Sequence, residues 1–91
     1  MERYPVTVTA GSLRPEDVKG VEMSHRWTQE GVVYDGQFTG AHLFNLSVAG
    51  CVLNDLYREA GRIGVAIDGV RVAASGGFDD EWRPTGIEYV V

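Results

Sequence analysis

The sequence predicts an α+β fold of order β-β-β-α-β-β, a small antiparallel sheet around one long central helix, and three observations lead there. Apolar and polar residues alternate with period two through much of the first forty positions, as in half-buried strands. From Thr39 the apolar spacing changes to three and four and holds until Gly61, the repeat of a helix. The last thirty or so residues return to β-branched, alternating stretches. A chain of 91 residues makes a single domain over 1–91. Area scaling gives about 64% of the surface buried on folding, so the core is thin.

In order, Tyr4 to Ala10 places Val6, Val8 and Ala10 on one face and Thr7 and Thr9 on the other. Val21 to Thr28 does the same with Val21, Met23, His25 and Trp27 against Glu22, Ser24, Arg26 and Thr28. Leu13-Arg14-Pro15-Glu16-Asp17 reads as the loop between these two strands, and Gln29-Glu30-Gly31 as a hairpin turn into a third, Val32 to about Gln37. The helix follows, with Leu43, Leu46, Gly50, Leu53 and Tyr57 at helical spacing, joined by Phe44, Val48 and Val52, and with Gly61 as its C-terminal stop. Its first half is apolar on nearly every side, which calls for cover by sheet or by a second copy of the chain. Ser47, Cys51, Asn54, Asp55 and Arg58 form its one polar stripe. Val65 to Ser75 and Pro84 to Val91 are the last two strands, with Asp68-Gly69 a suggested bulge and the run from Gly76 to Glu81 the loop between them.

Composition narrows the function. With 44% hydrophobic and 23% charged residues the chain is an ordinary globular one, and it holds no apolar run long enough to cross a bilayer. The opening Met-Glu-Arg-Tyr-Pro lacks the apolar stretch of a signal peptide, so a cytoplasmic location is expected. A formal charge of −5 and a single lysine, Lys19, argue against nucleic acid or an anionic membrane as partner, because both need a basic face. One cysteine, Cys51, precludes an intramolecular disulfide and a thiolate zinc cage, and no metal or other cofactor is expected.

Cys51 is the one strong nucleophile, and two readings of it stand open. A thiolate would be catalytic; a buried structural cysteine would be an inert small hydrophobe. Its mid-helix position lacks the help of the N-terminal dipole, and Asp55, one turn on, opposes ionisation. A cation would favour the thiolate, and the candidates are Arg14 in the first loop and Arg58 on the same helix stripe. His25 reads as a hydrogen-bonded core residue. His42, nine residues before Cys51, faces the opposite side of the helix. The acidic run Asp79, Asp80 and Glu81 reads as a solvated loop.

Three strands, a helix with Ala49-Gly50-Cys51 at its middle and a glycine-bounded return into two strands resemble the OsmC/Ohr family of organic hydroperoxide reductases. The stretch Gly40-Ala41-His42-Leu43-Phe44-Asn45-Leu46-Ser47-Val48-Ala49-Gly50-Cys51 is similar to the family's helix leading to Ala-Gly-Cys, and Thr9-Ala10-Gly11-Ser12-Leu13-Arg14 is similar to its first-strand exit. The segment from Gly61 to Gly77-Phe78 is similar to its post-helix hairpin. The resemblance implies that Cys51 is a peroxidatic thiolate and Arg14 its stabilising cation, in a homodimer with the active site between subunits. The family's helix-start glutamate falls at Ala41 or His42, and its resolving cysteine lies in a later segment, so the chain corresponds to a short form. The implied activity is therefore a one-cysteine peroxidase acting on an organic hydroperoxide and reduced by an external thiol. The alternatives are a non-catalytic small-ligand-binding protein of the same fold, and a partner chain that completes a split domain.

Overall fold

The computed structural model describes residues 2–17 and 19–91. Five strands and one helix follow in the expected order: β1 (Val6–Gly11), β2 (Val21–Met23), β3 (Val32–Gly36), α1 (Gly40–Ile63), β4 (Gly69–Phe78) and β5 (Pro84–Val90). The strands form one antiparallel sheet of order β2-β3-β1-β4-β5.

Period-two alternation gives the sheet two different faces. Val6, Val8 and Ala10 of β1 align with Val32 and Tyr34 of β3 and with Val70, Val72 and Ala74 of β4, and all are buried. Ala49 and Leu53 of α1 pack into this layer, with Leu46, Val52, Leu56, Tyr57, Ile67 and Ile87 at its margin. The helix thus lies against one face of the sheet; it is not wrapped by it, as the sequence suggested. A five-stranded sheet with a single layer of cover leaves the outer side of the helix open, and Leu43 and Phe44 remain 40% and 44% exposed there.

Helix entry and exit are set locally. Thr39 is the N-cap, with extended backbone and a hydroxyl that accepts from the His42 amide at 3.1 Å. Gly64 ends the helix at φ 75°, a left-handed conformation that glycine adopts without penalty, and the Val65 amide bonds back to the Ala60 carbonyl at 2.8 Å. The stop is therefore Gly64 and not Gly61, which stays within the last turn while Arg62 pairs with Glu59. Asn45, only 1% exposed, donates to the carbonyls of Tyr4 at 2.8 Å and Gly76 at 3.3 Å, fastening the helix to both chain segments at the top of the sheet.

Three strand boundaries differ from the sequence reading. Strand β2 stops at Met23 because the chain then turns inward, so that His25 bonds Asn54 of the helix at 2.9 Å. Val21 and Met23 are exposed on this edge strand, not buried. Residues 65–68 are not strand, since the helix cap occupies Val65, and β4 begins at Gly69. β4 then runs on through Gly76 and Gly77 to Phe78, and the bulge falls between Gly76 and Phe78 in its pairing with β5 instead of at Asp68-Gly69. The turn is confined to 79–83. There Asp79 accepts from the Arg83 and Glu81 amides, each at 2.9 Å, and these bonds, that of Arg83 foremost, hold its carboxyl below the ordinary range.

Candidate functional site

Cys51 occupies the middle of α1 on the side turned away from the sheet, and it is exposed, which removes the buried structural reading. Phe44 lies seven residues before it on the same side, and Ser47 lies between them. The polar stripe that surrounds Cys51 is engaged elsewhere. Ser47 donates to the Phe44 carbonyl at 2.6 Å, Asn54 turns inward to His25, and Arg58 pairs with Asp55. Among the described residues no group hydrogen-bonds the thiol.

Arg14 is held at a different place. Its side chain is 19% exposed, and its guanidinium bonds Glu22 of β2 at 2.6 Å and the Glu30 carbonyl at 3.1 Å. The loop that carries it leaves β1 through Gly11 at φ 62°, and the Arg14 amide bonds back to the Gly11 carbonyl at 3.1 Å. Arg14 thereby ties the β1–β2 loop to β2 and to the β2–β3 turn. Within one chain Arg14 pairs with Glu22 while its buried Nε finds no partner, and it does not bond Cys51; Arg58, the second candidate cation, pairs with Asp55. Arg14→Ala is expected to lower the unfolding free energy by about 1 kcal/mol, the scale of one partly screened charged pair. Urea unfolding measures this loss, and an unchanged midpoint would show that the tether carries no stability.

A polar and aromatic group missed by the sequence reading lies at the far end of the helix. His25 bonds Thr28 at 2.8 Å as well as Asn54, and its ring meets those of Trp27 and Tyr57 with centroids 5.7 and 5.8 Å apart. The Tyr57 hydroxyl is pushed above its ordinary range by burial and, second, by the Glu30 carboxylate. Placing His25 in a strand concealed this group, because its partners come from a turn and from a helix residue 29 positions away. His42 is buried as the helical phase implied, bonded to Thr39 at 2.6 Å and edge-on to Tyr4.

A second aromatic group adjoins the open side of the helix. Phe44 and Phe78 lie 5.9 Å apart and Phe78 and Trp82 6.2 Å apart, centroid to centroid, with Trp82 73% exposed. Among the described residues no group of three or more His, Cys, Asp or Glu could hold a metal ion, and no helix is long and apolar enough to cross a membrane. Comparison with known protein families, with curated proteins and with solved structures gives no match.

Proposed function

We propose that the protein is a one-cysteine peroxidase acting on organic hydroperoxides, with Cys51 as nucleophile and with its site completed by a second copy of the chain. The observation that carries the reading is the exposed thiol at the centre of an uncovered helix face, on which Phe44 lies two turns before it and packs on Phe78. In the reaction the thiolate attacks the distal oxygen of the hydroperoxide. An S–O bond forms, the O–O bond breaks, the alcohol leaves with a proton, and the resulting sulfenic acid is reduced by two equivalents of an external thiol to give water and a disulfide of that thiol. The apolar Phe44, two turns along the same helix face, suits the organic part of such a substrate.

A thiolate needs a nearby positive charge, and within one chain both candidate arginines already hold carboxylates. On this reading the positive charge has to come from a second copy of the chain. The surface area agrees with a missing partner: 6102 Å² is accessible, against about 5,200 Å² expected for a monomer of this mass. The excess, about 900 Å², is close to the roughly 800 Å² that each partner contributes to a standard interface. The radius of gyration, 13.8 Å, also exceeds the roughly 12 Å of a compact domain of this length.

The test is to treat the reduced protein with cumene hydroperoxide and trap the product with a sulfenic-acid reagent. One adduct per chain, confined to Cys51 and absent from Cys51→Ser, is expected. No adduct at all would overturn the reading in favour of small-ligand binding without chemistry.

A further inference from the structure

At the top of the sheet, Tyr4, Phe78 and Trp82 line one open cavity of about 310 Å³ together with Glu2, Asp79 and Asp80. That volume lies at the lower end of the range of about 300–1,000 Å³ for small-ligand sites. The ring centroids of Tyr4 and Phe78 are 5.9 Å apart with planes inclined by 70°, and those of Phe78 and Trp82 are 6.2 Å apart with planes inclined by 49°. No flat stacking occludes the rings, and Trp82 keeps 73% of its surface exposed.

Each ring is fixed by the backbone around it. The Tyr4 amide donates to the Gly76 carbonyl at 3.0 Å, the Tyr4 carbonyl accepts from buried Asn45 at 2.8 Å, and the Tyr4 ring meets His42 edge-on. Phe78 ends β4 and pairs with Pro84 of β5. Trp82 sits at φ 61°, in the left-handed region that a bulky side chain enters only at a cost. The turn imposes that conformation: the Trp82 amide donates to the Asp79 carbonyl, the Asp79 amide to the Arg83 carbonyl, and the Glu81 and Arg83 amides to the Asp79 carboxylate, all at 2.9 Å. A glycine would take the position without strain. An exposed tryptophan held there instead is an outlier of the kind that clusters at ligand sites.

The available charge at the cavity has one sign. Arg83 pairs with Asp79 and Glu81, and Arg3 with Glu88, whereas Glu2 and Asp80 have no partner among the described residues. No lysine, arginine or histidine among those residues lines the cavity. An anion would be repelled there, and a metal ion finds no group of ligands. Inclined aromatic rings in a negative field suit a cation whose charge is spread over methyl groups, attracted to the ring faces without a fixed hydrogen bond. We propose that the cavity binds the trimethylammonium group of a choline-type ligand, held against Tyr4, Phe78 and Trp82. The rings make the contact, and the exposed carboxylates act through their field. Cys51 takes no part in this site.

Choline chloride is the probe, followed by the indole N–H signals of the two tryptophans. Choline at about millimolar concentration should shift the Trp82 signal saturably and leave Trp27, packed on His25, unmoved. 3,3-Dimethylbutan-1-ol, which has the shape without the charge, and ethanolamine, which has the charge without the methyl groups, should each bind at least about tenfold more weakly. Trp82→Gly removes the ring and relieves the left-handed backbone, so calorimetry should show choline affinity reduced at least about tenfold in a chain that stays folded by circular dichroism. Glu2→Gln combined with Asp80→Asn should weaken choline about threefold or more and reduce its salt dependence, leaving 3,3-dimethylbutan-1-ol unaffected. Phosphatidylcholine vesicles carry the same group on a surface: co-sedimentation reversed by free choline would assign the group to a lipid, and its absence to a solute. The proposal is overturned if choline at tens of millimolar leaves the Trp82 indole unmoved, if the neutral analogue or ethanolamine binds equally well, or if Trp82→Gly binds choline as the unaltered chain does.

Discussion

Leu53→Ala is expected to lower the unfolding free energy by about 3–5 kcal/mol, the range for removing a fully enclosed leucine whose cavity cannot collapse. Leu53 is 1% exposed at the centre of the helix–sheet contact, among Val8, Val72 and Tyr34 of the core cluster. Little redundancy surrounds it, since among the described residues one helix supplies the layer over this face of the sheet. A domain of this size has about 5–14 kcal/mol of stability in all, so the loss is a large share and should take the melting midpoint down by roughly 15–25 °C. Leu43→Ala, on the open side of the same helix at 40% exposure, is the control and should cost under about 1 kcal/mol in the monomer. Thermal melts of both variants at low protein concentration test the difference. Equal losses would mean that the helix does not pack on the sheet by the face described.

Elements with strong periodicity were legible in the sequence. Helix α1, strand β1, and the opposite phases of His42 and Cys51 follow from spacing alone, because a helix or strand with one buried face must repeat its apolar residues in step with its geometry. The boundaries that moved were those decided by partners distant in sequence. The alternation of Val21 to Thr28 reads as one long strand, yet the bond from His25 to Asn54 pulls its second half off the sheet. Gly61 and Gly64 are equally good stops by composition, and only the backbone bonds of the last turn select Gly64.

The candidate sites were legible to different degrees for the same reason. Cys51 stands out as the only thiol and falls on the exposed face that its polar neighbours implied. What balances Arg14 was not legible, because Glu22 and Glu30 lie on separate elements that only the sheet brings together. The burial of Thr9 was not legible either, since it shares the polar face of its strand with Thr7 in the sequence yet is only 7% exposed in the fold.

Phe44→Asp is expected to convert a dimer into a monomer and to slow the oxidation of Cys51 at least tenfold, with little change to the fold of the single chain. In one chain Phe44 is 44% exposed and touches chiefly Phe78, so its replacement should cost the monomer about 1 kcal/mol. In a twofold-symmetric dimer formed through this face, each substitution occurs twice in one interface. Two carboxylates placed without partners in a desolvated apolar contact would cost several kcal/mol, and at 1.4 kcal/mol per decade that raises the dissociation constant by about a thousandfold or more. Cys51, seven residues along the same side, then loses whatever charge and enclosure the second copy provides. Sedimentation velocity at tens of micromolar, paired with the cumene hydroperoxide assay, reads both effects together. A wild-type chain that sediments as a monomer, or a Phe44→Asp chain that remains dimeric, would remove this face as the interface. A monomeric Phe44→Asp chain that oxidises at the wild-type rate would show instead that Cys51 needs no second copy for its chemistry.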